Sequence, residues 1–263
     1  MRIHFTRKNL GIPYVLFLLI FVVMPLLVLF YFAFTNGSGE FTLTNLTDFF
    51  TNPNTLGTLF YSFAIAATTT FFCLILAYPV AYFLATSKLK ARSVIIMLFV
   101  LPMWINFSLR ITALKEILTL IQGNLAFYPF ANSVIGMTYD FLPFMILPIY
   151  TAIEKLDPAL IEAAKDLGAD DKETFLRITL PLSLPGVISG IAMVFLPSMT
   201  NYVVLDMLYN STFIMGSLIG SYFAADNWNG GSMIALILLL IICIFTLLTT
   251  TKEEDNKDGG NLL

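Results

Sequence analysis

Long apolar stretches separated by short polar ones set the pattern of this 263-residue chain. The apolar stretches cover residues 12–34, 56–85, 93–112, 131–152, 186–205 and 232–251. A helix of about 20 apolar residues crosses the hydrocarbon core of a bilayer, and each stretch meets that length. Lipid offers no water to open backbone groups, so the spans are expected as helices rather than strands. The pattern therefore predicts an all-α, polytopic membrane protein with six transmembrane helices. The second stretch exceeds a straight span and is expected to tilt or to project into water. Pro13, Pro25, Pro79, Pro102, Pro143, Pro148 and Pro197 fall inside the stretches. Each removes a helix hydrogen bond and favours a kink.

Composition agrees with this pattern. Only 12% of the residues are charged and 58% are hydrophobic, with a mean hydropathy of +0.84. Soluble domains carry about 25% charged residues. A net charge of -3, without a basic, aromatic-rich stripe, argues against nucleic acid and leaves membrane lipid as the surrounding partner. Cys73 and Cys243 sit in apolar runs and read as small buried hydrophobes. No metal-site spacing occurs, and the one histidine, His4, precedes the first span. That first run is longer than the roughly 7–15 residues of a cleavable signal core, so it reads as a retained span.

Basic residues orient the spans. Arg2, Arg7 and Lys8 precede the first, and Lys88, Lys90 and Arg92 follow the second. The loop between them carries only Glu40 and Asp48. The excess of Lys and Arg on the cytoplasmic side places both termini inside. Segments 35–55, 113–130 and 206–231 then lie outside. Segment 153–185 lies inside, supported by Lys155, Lys165, Lys172 and Arg177. Three parts result. Residues 1–55 hold the N-terminus, first span and outer loop. Residues 56–251 form a core of five spans, and 252–263 a cytoplasmic tail. Residues 212–223 are too short to span and read as an outer amphipathic or a partly re-entrant helix.

The cytoplasmic segment contains a polar island, EAAKDLGADDKETFLRITLP at 162–181. Asp157-Pro158 reads as an N-cap followed by proline at the first helical position. Ala159, Ala163 and Ala164 favour helix, and Gly168 is placed to end it. Asp170 or Asp171 then caps a second helix from Lys172 to about Leu180, which Pro181 and Pro185 stop or kink. A compact helix-turn-helix on the cytoplasmic face fits a groove in a partner, or else packs on its own bundle.

The island resembles the EAA motif of ATP-binding-cassette importer permeases. Glu162, Ala163, Ala164, Gly168, Ile178, Leu180 and Pro181 fill every motif position. LPMWINFSLRITALKEIL at 101–118, LPFMILPIYTAIEKLDPALIEAAKDLGA at 142–169 and PLSLPGVISGIAMVFLPSMTNYVVLDML at 181–208 narrow the likeness. These runs resemble the spermidine/putrescine importer permeases, in particular the B-type subunit. A Gly-Gly-rich outer turn of that family is replaced by Leu208-Tyr209-Asn210-Ser211. The resemblance implies a type I importer permease (MetI-like) fold in a bacterial plasma membrane. It also implies that the island is a coupling element docking on an ATPase subunit. Implied partners are a second homologous permease forming a heterodimer, two ATPase copies and an extracytoplasmic polyamine-binding protein. The chain has no G-x-x-x-x-G-K-[ST] loop, so it is expected to be non-catalytic and to bind no cofactor. ATP and Mg2+ belong on the ATPase. A same-fold importer of iron, thiamine or phosphonate compounds is the alternative.

A polyamine path calls for carboxylates to meet ammonium groups and for aromatic faces to meet their charge. Ionisable residues within spans mark functional sites by default. Asp140 and Asp206 are the candidate carboxylates, and Tyr78, Trp104, Tyr139 and Tyr202 the candidate aromatics. Arg110 repels a cation and is expected to pair with an acid or to shape the outer gate.

Overall fold

A computed structural model describes residues 7–87, 89–209 and 214–260. Arg2, His4 and Lys88, together with Asn210 and Ser211 of the replaced outer turn, lie outside the described residues. Among those described, helix is the only repeated element, with one isolated bridge between Thr35 and Phe41. The helices group into two packed units. One comprises residues 7–58 with Ser217–Ile241, the other Leu59–Gly216 with residues 242–260.

In the first unit, α1 (Arg7–Leu18) passes through a π turn (Leu19–Val23) into α2 (Met24–Ala33). Its apolar side chains are exposed along most of its length, as a lipid-facing helix requires. Asparagines then tie down the end of α2. Asn45 on α3 (Thr44–Thr51) donates its amide to the carbonyls of Ala33 (2.9 Å) and Thr35 (3.0 Å). Asn229 donates to those of Phe32 (3.0 Å) and Thr35 (2.7 Å). These bonds satisfy carbonyls that a helix terminus leaves without partners.

The second unit is built around α7 (Pro129–Glu154), the most buried of the long helices. Its Met137, Met145, Ile146 and Ile149 are almost fully enclosed. Against it packs α10 (Leu180–Thr200), and the contact depends on two glycines four residues apart. A Cβ added at Gly186 would lie 2.5 Å from the Ala152 Cβ and 2.6 Å from the Pro148 carbonyl oxygen. At Gly190 it would meet the Met145 sulfur at 2.6 Å. Small residues at this spacing let helices approach in lipid, where van der Waals packing replaces the hydrophobic drive. Buried hydroxyls bond back to their own helix: Thr70 to Ala66 and Ser198 to Val194, both at 2.7 Å.

Among the described residues five helices are long and apolar enough to cross a membrane, or six if a helix pair bent by 96° counts as one span. The third stretch, expected as one span at 93–112 with a proline kink, is instead broken into two helices. Helix α5 (Arg92–Val100) runs through a short 3₁₀ turn to Trp104, and α6 (Phe107–Gln122) leaves at 96°. Asn106 causes the break: its side-chain oxygen caps α6 by accepting from the amides of Ser108 (2.9 Å) and Leu109 (3.4 Å). The preceding Ile105 is extended, and Pro102 sits in the 3₁₀ turn.

The fifth span also differs. Pro181 and Pro185 do not stop it; helix runs unbroken from Asp171 to Thr200. A π turn (Phe175–Thr179) precedes Pro181, and Leu180 donates to the carbonyl of Phe175, five residues back. The ladder is already shifted where proline has no proton to give, so the helix continues. It ends at Asn201, short of the expected Leu205, and α11 (Tyr202–Leu208) turns back onto α6 and α7. The helix α4 (Pro53–Thr86) has 34 residues, about 50 Å at 1.5 Å per residue, which exceeds the bilayer core as its length implied. The helix α12 (Met215–Ala224) covers most of segment 212–223, whose first two residues lie outside those described. The helix α13 (Trp228–Gly260) carries the last span.

Candidate functional site

The polar island folds as a helical elbow. After α7, Asp157 caps α8 (Pro158–Asp166) by accepting from the Ala159 amide at 2.9 Å, with Pro158 in the first turn. At the far end Gly168 adopts φ +89, the left-handed conformation that glycine takes at least cost. Gly168 donates to the Lys165 carbonyl (2.9 Å) and Ala169 to that of Ala164 (3.0 Å), a Schellman pair that closes the helix. Asp170, rather than Asp171, then caps α9 (Asp171–Thr174), accepting from the Glu173 amide at 2.6 Å. Asp171 instead pairs with Lys165 across the turn at 2.8 Å, and this hydrogen bond raises the Lys165 pKa.

The elbow presents two cavities. A groove of about 420 Å³ is lined by Leu160, Ala163, Ala164, Leu167, Gly168 and Ile178, among others. Leu167 stands 90% exposed at its rim. A second cavity of about 570 Å³ lies against Glu162, with the pairs Arg92–Glu154 (3.4 Å) and Lys165–Asp171 in its walls. The structure thus brings Ala163, Ala164, Gly168 and Ile178 to one groove. Glu162 borders the other cavity, while Leu180 and Pro181 serve the continuation into α10.

Phe175 fixes the base of the elbow. Its ring stands edge-on to Tyr78 (centroids 5.8 Å) and Tyr82 (5.1 Å) of α4. The Tyr78 hydroxyl also shares a 2.8 Å hydrogen bond with Ser183. Tyr78 therefore has both its ring and its hydroxyl engaged where the elbow meets α4 and α10. No spacing rule marks this contact, because Tyr78 and Ser183 lie 105 residues apart.

The other pathway candidates fall into different surroundings. Asp140 is buried on α7 and accepts a 2.6 Å hydrogen bond from the Arg110 guanidinium of α6. The Nε and Nη1 of Arg110 are buried without hydrogen-bond partners among the described residues. Nearby, α11 lies close to α7 because Gly136 has no side chain: a Cβ there would meet Leu208 at 2.7 Å and Val204 at 2.8 Å. Tyr209 extends the contact by donating to the Pro129 carbonyl at 2.9 Å, and it also hydrogen-bonds Ser133. Tyr202 and Asp206, four residues apart, share the exposed face of α11, while Val204, Leu205 and Leu208 fill its inner face. Among the described residues Asp206 forms no ion pair. Tyr139 is 41% exposed on a different side of α7 from the buried Asp140, and Trp104 is 84% exposed at the break before α6.

The fold and elbow define a class: a multi-pass α-helical membrane protein that carries a structured polar protrusion between two spans. Residues 10–251 match the family model described as "Binding-protein-dependent transport system inner membrane component", and the chain belongs to that family. It is thereby a non-catalytic, multi-pass inner-membrane component of a transport system. The spermidine/putrescine transport system permease protein PotB of Haemophilus influenzae is 35% identical over 241 residues, covering 83% of this chain and 84% of the relative. Its Escherichia coli counterpart is 36% identical over 229 residues, covering 78% and 82%. The E. coli inner membrane ABC transporter permease protein YdcU is 29% identical over 210 residues, covering 69% and 66%.

Solved structures agree on the fold. A bacterial alginate ABC transporter, in complex with an alginate pentasaccharide-bound periplasmic protein, aligns with TM-score 0.73 at 14% identity over 92% of this chain and 91% of that one. The inward-facing MetNI methionine ABC transporter aligns with TM-score 0.60 at 16% identity over 76% and 95%. The type I importer permease fold expected from sequence is the fold observed.

Proposed function

We propose that this chain is the permease subunit of an ATP-driven importer of spermidine/putrescine-type polyamines. The observation that carries this reading is the likeness to the two PotB proteins, which extends over about four-fifths of both chains. The chain pairs with a second, homologous permease. Two ATPase subunits supply the energy through their own ATP and Mg2+, and a polyamine-binding protein delivers the solute from outside. Both termini face the cytoplasm, as the distribution of Lys and Arg favours.

The elbow is the coupling element, and its groove at Ala163, Ala164, Gly168 and Ile178 receives the ATPase surface. Small side chains allow close approach there, and Leu167 supplies an apolar anchor. Because α9, the π turn and α10 form one continuous helix, a displacement at the groove travels into the bundle without a joint to absorb it. Phe175, held between Tyr78 and Tyr82, extends that displacement to α4. Along the solute path, Tyr202 and Asp206 suit a passing ammonium group best: an aromatic face and an unpaired carboxylate one helical turn apart. Asp140 is less available, because Arg110 already neutralises it.

The test is uptake and ATPase activity of the complete complex in proteoliposomes, with binding protein loaded with spermidine or putrescine. Both activities should rise with either load. Glu162→Lys or Gly168→Pro should leave the chain inserted but lower transport and ATPase coupling. Transport of another solute but neither polyamine would overturn the substrate assignment. Unimpaired transport by both variants would overturn the role of the elbow.

A further inference from the structure

The unit formed by residues 7–58 and Ser217–Ile241 contains a cavity of about 250 Å³ that the importer reading leaves without a role. Its lining has a distinct division of chemistry. Phe49 and Ile234, each 3% exposed, contribute apolar surface. Asp48 contributes a carboxylate and Tyr222 an aromatic ring, and no Lys, Arg or His lines the cavity among the described residues. Asp48 takes part in no ion pair among those residues. Asn45 commits its amide protons to the Ala33 and Thr35 carbonyls, so what it offers the cavity is an acceptor.

The walls are fixed before any partner arrives. Asn45 is held by those two bonds, and Gly230 lies against Tyr222 so closely that a Cβ there would sit 2.8 Å from the ring. The Asn227 side chain accepts from the Gly230 amide at 3.0 Å, and its backbone amide donates to the Tyr222 carbonyl at 2.9 Å. Such preorganisation lowers the cost of binding.

The volume and charge select the occupant. Pockets for whole small molecules run from about 300 to 1,000 Å³, and this one falls below that range. A lining made mainly of amide and hydroxyl groups, with one carboxylate, one ring and the apolar Phe49 and Ile234, matches a cationic side chain, whose charged head meets acceptors while its methylene stem packs. Residues 35–55 and 217–241 contain Glu40, Asp48 and Asp226 but no Lys or Arg. A basic partner therefore meets no like charge on these segments.

We propose that this cavity receives a lysine or arginine side chain of the extracytoplasmic binding protein, making it a docking socket on the outer face. The inference rests on the importer reading and on the orientation that puts both termini inside. It assigns the cavity to the delivering protein rather than to the solute.

The experiment titrates loaded binding protein against the complete transporter in nanodiscs, reading stimulated ATPase activity. Asp48→Lys should raise the half-maximal binding-protein concentration at least about tenfold, the loss expected when an opposite charge in such a contact is reversed. Gly230→Ala, which crowds Tyr222 without changing charge, should raise it in the same direction. A Lys→Glu or Arg→Glu change on the binding protein should restore the response of Asp48→Lys. Wild-type titration curves for both variants would overturn the proposal. So would a shift of Asp48→Lys in solute dependence at saturating binding protein without any shift in binding-protein dependence, since the cavity would then serve the solute. A wild-type complex indifferent to every loaded binding protein would sink the importer reading and this proposal with it. A responsive wild type with an equally responsive Asp48→Lys sinks only the proposal.

Discussion

Replacing Asp140 by leucine removes the carboxylate that neutralises a buried charge with nowhere else to go. Arg110 is 8% exposed, its Nη2 is 2.6 Å from the Asp140 carboxylate, and its Nε and Nη1 already lack hydrogen-bond partners among the described residues. In Asp140→Leu the guanidinium stays enclosed without compensation. Breaking a buried pair from one side costs about 3–5 kcal/mol, whereas replacing both members by apolar residues is often neutral or stabilising. The single variant should therefore lose much of its thermal stability in detergent, measured as the monodisperse fraction remaining after heating. Arg110→Met/Asp140→Leu should recover it. Uptake by the double variant decides between roles. If the pair only joins α6 to α7, uptake recovers with stability; if Asp140 serves the solute, a stable double variant still transports poorly. An Asp140→Leu protein as stable as wild type, or a double variant no better than the single, would refute the reasoning.

Two further outcomes test the packing and the coupling. Gly186→Leu should destabilise the complex by at least about 1–3 kcal/mol, because its side chain meets the backbone of Pro148. Gly190→Ala should cost less, since the Met145 sulfur that it meets belongs to a flexible chain; comparative melting of the two variants checks the order. Phe175→Ala should uncouple the complex, lowering uptake per ATP hydrolysed, because it frees the elbow from Tyr78 and Tyr82. Phe175→Tyr, which keeps the ring, should retain most of the coupling, and equal ratios in the two variants would remove Phe175 from the path.

The elbow is largely legible in its own string of residues. Asp157, Pro158 and Gly168 act through bonds to residues a few places away, so caps and turn appear locally. The sequence allows either Asp170 or Asp171 as the second cap, and the fold uses Asp170 because Asp171 is engaged by Lys165. The break at Asn106 escapes a count of apolar residues, although its signal is local: an asparagine whose oxygen meets the next amides reads as a cap. The continuation through Pro181 escapes for a different reason. Proline rules assume a regular ladder, and the π turn that precedes it moves the hydrogen bonds by one residue.

Apolar length and the short motif are properties of neighbouring residues, so the helical class, the stretches long enough to span and the folded polar elbow can be read along the chain. The pairing of Arg110 with Asp140, the clasp of Phe175 by Tyr78 and Tyr82, and the walls around Asp48 join residues far apart in sequence. Their partners are selected by helix packing, which depends on where glycines such as Gly136, Gly186 and Gly190 let backbones approach. That is why Asp140 reads as an available carboxylate in the chain and is a neutralised one in the fold, while Asp206, on an exposed helix face, forms no ion pair among the described residues.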